Sequence, residues 1–194
     1  MSTIRTTPKQ RRSTAYHEAG HALLAHFFKL PFDYVTILPG EDTLGHLALR
    51  AHSRPRTTHW IKALFLNDPA AKLFDVFSRL TQRAQAEKNV MCFFAGRIAQ
   101  EKYQGTYARG GHSHDYAHID KQVSKFGGPP KAQAHWRRWL LAWTKEIVDF
   151  HWNEVVAVAE ALVERKHLTS DDVTKIIEAQ RSATRARPLD TRVK

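Results

Sequence analysis

The sequence predicts an α+β fold in which helices dominate: a first helix carrying a candidate metal site, a small β-sheet beside it, and then a helical bundle. Three observations carry this. A His-Glu-x-x-His stretch lies inside apolar residues spaced by three and four, a short run of strand formers follows at Tyr34 to Leu38, and almost everything after Pro69 keeps helical spacing.

The first helix opens at Thr7-Pro8, an N-cap residue followed by proline at the first helical position, and Ala15, Leu23, Leu24, Phe27 and Phe28 continue it until Pro31. Tyr34 to Leu38, a turn at Pro39 to Asp42, and the alternating Leu44 to Arg50 then read as an antiparallel hairpin. Val35 to Leu38 is a candidate edge strand for an extended peptide. Helices are expected at His59 to Leu66 and at Pro69 to Gln104, and Gly105 to Gly111 forms a glycine-bearing loop. That loop opens onto a helix from His112 to Phe126, which Gly127-Gly128-Pro129-Pro130 ends.

From Ala132 to Arg165 one long helix or two are expected, with Trp136, Leu140, Trp143, Ile147 and Phe150 forming a stripe that is core or interface. Thr169 with Asp172 three positions later resembles a capping box and starts a last helix through Val173, Ile176 and Ile177. A chain of 194 residues, 42% hydrophobic and 25% charged, suits one globular domain over 1–181 with a basic tail at 182–194.

Several function classes drop out. No apolar run reaches the roughly eighteen residues needed to span a bilayer, and Glu18 with two histidines sits where a signal peptide requires apolar residues. A cytoplasmic location is therefore expected. The one cysteine, Cys92, excludes an internal disulfide or multi-cysteine site, and its neighbours Met91, Phe93 and Phe94 suggest a buried thiol. A net charge of +11 favours anionic partners, nucleic acid or acidic protein among them.

The chemistry concentrates at His17, Glu18 and His21. Histidines four apart on a helix face the same way, so His17 and His21 can both reach one zinc ion. Zinc acidifies a water, and Glu18 beside it can accept the water's proton, the arrangement of metal-assisted amide hydrolysis. In a chain with this many histidines the motif arises by chance about once in thirty sequences, so the helical context matters. A third ligand is needed. The metzincin spacing would place it at position 27, but that residue is Phe27, so the candidates are His112, His114, Asp115, His118 and Asp120. Spacing does not choose among them.

A resemblance does. Thr14 to Leu23 resembles the zinc-binding segment of the FtsH-type ATP-dependent metalloproteases, Val35 to Pro39 with Leu44-Gly45 resembles their following strands, and Ala95 to Glu101 resembles a later helical segment. Gly111-His112-Ser113-His114-Asp115 is similar to the loop whose aspartate completes the metal site, which implies Asp115 as third ligand, Glu18 as general base and Zn2+ as cofactor. Looser likeness at Glu160 to Glu164 and Leu168 to Ile177 extends the match from about Arg12 to Glu178. Gln100 and His114 depart from it, standing where the family usually has glutamate and asparagine.

No G-x-x-x-x-G-K-[ST] phosphate loop occurs, so ATP is not an expected partner and the chain reads as the peptidase domain without its unfoldase. The resemblance thus implies a zinc-dependent endopeptidase acting on flexible or unfolded protein segments, with a homo-oligomer as an option. An alternative from another class is a metal-containing regulatory protein that recognises a repressor or nucleic acid through its basic surface. Trp136, Trp139, Trp143 and Trp152 among Arg137, Arg138 and Lys145 could stack on single strands, although helical spacing favours a core with a solvated basic face. A degenerate, purely structural relative is disfavoured by the intact Glu18. His46, His52 and His59 are read as surface residues, and Arg97 either orients a carboxylate such as Asp115 or forms a structural ion pair.

Overall fold

The computed structural model describes residues 7–40, 44–50, 69–106 and 113–186, with side chains from 79 onward in the third stretch. In chain order the elements are α1 (Pro8–Phe28), β1 (Phe32–Thr36), β2 (His46–Leu49), α2 (Pro69–Gln104), α3 (Ser113–Phe126), α4 (Pro130–Phe150), α5 (Trp152–Arg165), β3 (His167–Thr169) and α6 (Ser170–Ala186). This is the helix-dominated α+β class expected. The helix expected at His59 to Leu66 lies outside the described residues.

Helix α1 starts as its sequence dictates. The Gln10 amide donates to Thr7 Oγ1 and the Thr7 amide donates to Gln10 Oε1, so two otherwise orphaned donors are satisfied reciprocally. It ends at Phe28, three residues short of Pro31, because Lys29 takes the left-handed conformation (φ 55°) and caps the last carbonyls. Between these ends the helix is almost entirely buried from Ser13 to Ala25, packed against α2 and α5. Leu23 and Leu24 are fully buried, each worth roughly 1.5–3 kcal/mol of transfer free energy.

Gly20 makes the crossing of α1 and α2 close. A Cβ there would lie 2.3 Å from the Ala95 carbonyl oxygen, so only glycine lets the backbones approach to this distance.

The sheet is antiparallel in the order β2-β1-β3, and β1 is its central strand. Val35 sits opposite Leu47 on one side and Leu168 on the other, which joins the hairpin to the far end of the chain. This corrects the expectation of an edge at Val35 to Leu38. The partner came from a three-residue strand with no alternation long enough to be read, and the edge strands among the described residues are β2 and β3.

The break after Phe126 and the last capping box both occur as expected. Asp172 N donates to Thr169 Oγ1, and the Thr169 amide and hydroxyl donate to Asp172 Oδ2. Helix α6 then continues to Ala186, into the stretch read as tail. Of the two options left open for this stretch two helices form, α4 and α5, and the stripe is split between buried and exposed residues. Trp136, Leu140, Thr144 and Val148 face the core, whereas Trp143 is 51% and Phe150 83% exposed. A strict four-residue step selects the buried line, and Trp143 and Phe150 fall beside it.

Candidate metal centre

Helix α1 supplies His17, Glu18 and His21, and the first turn of α3 supplies Asp115. The two imidazoles meet edge to face, with centroids 4.5 Å apart. Their Nε2 atoms are 3.0 Å apart, and Asp115 Oδ2 lies 3.2 Å from that of His17 and 3.5 Å from that of His21. Three donors thus converge on one point. Ligands 2.0–2.1 Å from a tetrahedral zinc are separated by about 3.3 Å, so this triangle has the size such an ion requires. Two imidazoles and a carboxylate are also a donor set zinc accepts.

Of the five residues left open for the third position, Asp115 alone joins the histidines among the described residues. Asp120 pairs with Arg137, His114 and His118 lie exposed on α3, and His112 lies outside the described residues. His46 is exposed on β2 against the Tyr34 ring, and His52 and His59 are not among the described residues.

The surroundings hold each donor in place. His21 Nδ1 is 2.8 Å from the Cys92 carbonyl oxygen, a contact that fixes the ring and turns Nε2 toward His17 and Asp115. The buried Cys92 thiol donates back to the His21 carbonyl at 3.4 Å. Gly96, one turn further along α2, lies directly under the pair. A Cβ at that position would fall 2.3 Å from His21 Nε2 and 2.8 Å from His17 Cε1. Arg97 reaches the neighbour of Asp115 rather than Asp115 itself. It pairs with Glu101 at 2.7 Å and donates to the Tyr116 hydroxyl, tying α3 to α2.

The two carboxylates of the site are pushed in opposite directions. Burial raises Glu18 from 4.5 to about 7; the charge of His21 opposes the rise and that of Asp115 adds to it. Burial also acts to raise Asp115, but the charge of His21 and hydrogen bonds from both histidines prevail and hold it well below the usual carboxylate range. Correspondingly, burial acts against protonation of His21, yet Asp115 and the Cys92 carbonyl hold its pKa well above the ordinary value. A cation entering this triangle would replace that shared proton. Glu18, 5% exposed, also touches the hairpin: a Cβ on Gly45 would lie 2.7 Å from Glu18 Oε1 and 2.8 Å from its Cγ.

No family model matches the chain. Over 198 aligned residues it is 28% identical to the ATP-dependent zinc metalloprotease FtsH of Thermus thermophilus, covering 89% of this chain and 30% of that protein. Over 126 residues it is 32% identical to the ATP-dependent zinc metalloprotease YME1L1 of Mus musculus and of Homo sapiens, covering 61% of this chain and 14% and 13% of those proteins. The chain is thus similar in sequence to these ATP-dependent zinc metalloproteases. It spans 30% or less of the length of these relatives.

Against the FtsH-type pattern the two departures now have locations. Gln100 donates to Ser13 Oγ at 2.7 Å, as Gln104 does at 2.6 Å, so its amide stitches α2 to α1. His114 faces His118 instead of the triangle. Gly45, Gly96 and the Cys92 carbonyl escaped the sequence reading as site components. Gly96 did leave a signal, a lone glycine inside an apolar helical stretch, which marks a close approach.

Proposed function

We propose that the chain is a zinc-dependent endopeptidase, with His17, His21 and Asp115 holding the metal and Glu18 acting as general base. The observation that carries this reading is the triangle of 3.0, 3.2 and 3.5 Å between the three donor atoms, with a buried carboxylate adjacent in sequence. When bound, zinc supplies Lewis acidity, acidifying water toward neutrality and polarising the scissile carbonyl.

The chain's own residues do the rest. Glu18, buried beside the triangle, accepts the proton of the attacking water and delivers it to the departing amine. Gly45 lies close against Glu18, limiting the directions its carboxylate can take on that side. Strand β2 begins at His46, directly after Gly45, so an extended peptide paired along this edge would bring a backbone carbonyl beside Glu18. Such pairing requires a segment free to become extended, hence flexible or unfolded substrates, and no phosphate-loop motif occurs in the 194 residues to drive unfolding.

Glu18→Gln is the test. The variant should keep its zinc and lose cleavage of an unfolded casein-like substrate by about 10²- to 10⁴-fold. Unchanged turnover with zinc retained would remove Glu18 from the chemistry.

A second reading, binding of single-stranded nucleic acid, draws on α4, where Trp139 and Trp143 are 49% and 51% exposed beside Arg138 and Lys145. Salt-sensitive binding of an oligonucleotide without any proteolysis would favour it.

A further inference from the structure

The chain carries a second pair of histidines with the same spacing as the first. His114 and His118 lie one turn apart on α3, both exposed, with ring centroids 5.1 Å apart and planes inclined by 63°. The pair in the triangle has centroids 4.5 Å apart and planes inclined by 89°. The Phe93 ring lies flat against His118, centroids 4.8 Å apart and planes within 9°. The same Phe93 meets His21 edge-on at 6.4 Å. The second pair therefore stands one aromatic ring away from the first, and Phe93 limits the rotation of His118 as the Cys92 carbonyl limits that of His21.

We propose that His114 and His118 form a second, weaker transition-metal site at the start of α3. Two imidazoles at this spacing can converge on one ion, with water completing its coordination because both rings face solvent. Asp115 lies between them in sequence but is committed to His17 and His21 at 3.2 and 3.5 Å, so it does not serve both sites. The donor type selects ions that take imidazole, such as Zn2+, Ni2+ or Cu2+, and excludes Ca2+ and Mg2+, which require oxygen ligands. With two protein ligands in place of three, and no burial, the site fills only when metal is in excess.

The experiment is calorimetric titration of the metal-free chain with zinc, in wild type, His118→Ala and His17→Ala, with circular dichroism recording the helical content of each. Wild type should take up two zinc ions in separate steps. His118→Ala should lose only the weaker step, and His17→Ala should lose the tighter one and keep the weaker. A single step in wild type, or a weaker step that survives His118→Ala, would overturn the second site. Persistence of the tighter step in His17→Ala would instead overturn the primary ligand assignment, leaving the second site standing.

Discussion

Two histidine pairs with identical four-residue spacing sit on neighbouring helices, and what surrounds them differs in every respect that bears on metal affinity. His17 and His21 lie in a helix buried almost throughout from Ser13 to Ala25, oriented by a backbone carbonyl, backed by a glycine and faced by a carboxylate. His114 and His118 lie on the open face of α3, oriented by one aromatic ring. Spacing gives two imidazoles the opportunity to share an ion. Affinity comes from the third donor and from the groups that restrict the rings before metal arrives.

That contrast can be broken from either side. The largest effect is expected from Gly96→Ala. Its new Cβ, 2.3 Å from His21 Nε2, displaces the ring, so zinc affinity at the primary site should fall more than about 100-fold while the His114–His118 pair is untouched. Equilibrium dialysis would show it, and a Gly96→Ala chain with wild-type affinity would mean that the glycine is incidental. Gly45→Ala separates chemistry from metal binding. Its Cβ meets Glu18 and not the histidines, so zinc content should hold while kcat falls about 10-fold or more.

Glu18→Gln should change stability as well as turnover. Because burial raises Glu18 to about 7, the folded metal-free chain retains a proton that the unfolded chain has released, and stability falls as pH rises from the ordinary value of 4.5 through about 7. The variant should therefore be more stable than wild type at pH 8, on the order of 1–3 kcal/mol, and nearly equal to it at pH 4, in denaturant titrations of the metal-free chains. A variant less stable at pH 8 would show that the glutamate is not strained by its site. The smallest effect is expected at Phe93→Ala, which should weaken the second zinc step by about threefold by freeing His118, with the first step, held by three ligands, changing less.

The contrast also explains what the sequence could and could not disclose. His17, Glu18 and His21 were readable because they lie on one helix, where periodicity converts spacing into direction. Asp115 was not selectable from spacing, since His114, His118 and Asp120 share its short stretch and only the packing of α3 on α2, tied by Arg97 and Tyr116, decides which of them faces α1. The helices, the Thr7-Pro8 start of α1 and the Thr169–Asp172 capping box were legible from local residues, whereas the reciprocal bond from Gln10 to Thr7 was not read. Strand β3 was not, because its pairing with Val35 spans most of the chain. The stripe through Trp143 and Phe150, read as core or interface, lies beside the four-residue line that packing buries.

The central claim is that His17, His21 and Asp115 hold one catalytic zinc. Elemental analysis of wild-type and Asp115→Ala protein, desalted after zinc loading and assayed beside chelator-sensitive cleavage of an unfolded casein-like substrate, tests it most directly. One zinc per wild-type chain, lost with cleavage in Asp115→Ala, is the predicted result; a wild-type chain that stays metal-free after loading, or an Asp115→Ala chain that keeps both zinc and cleavage, would contradict it.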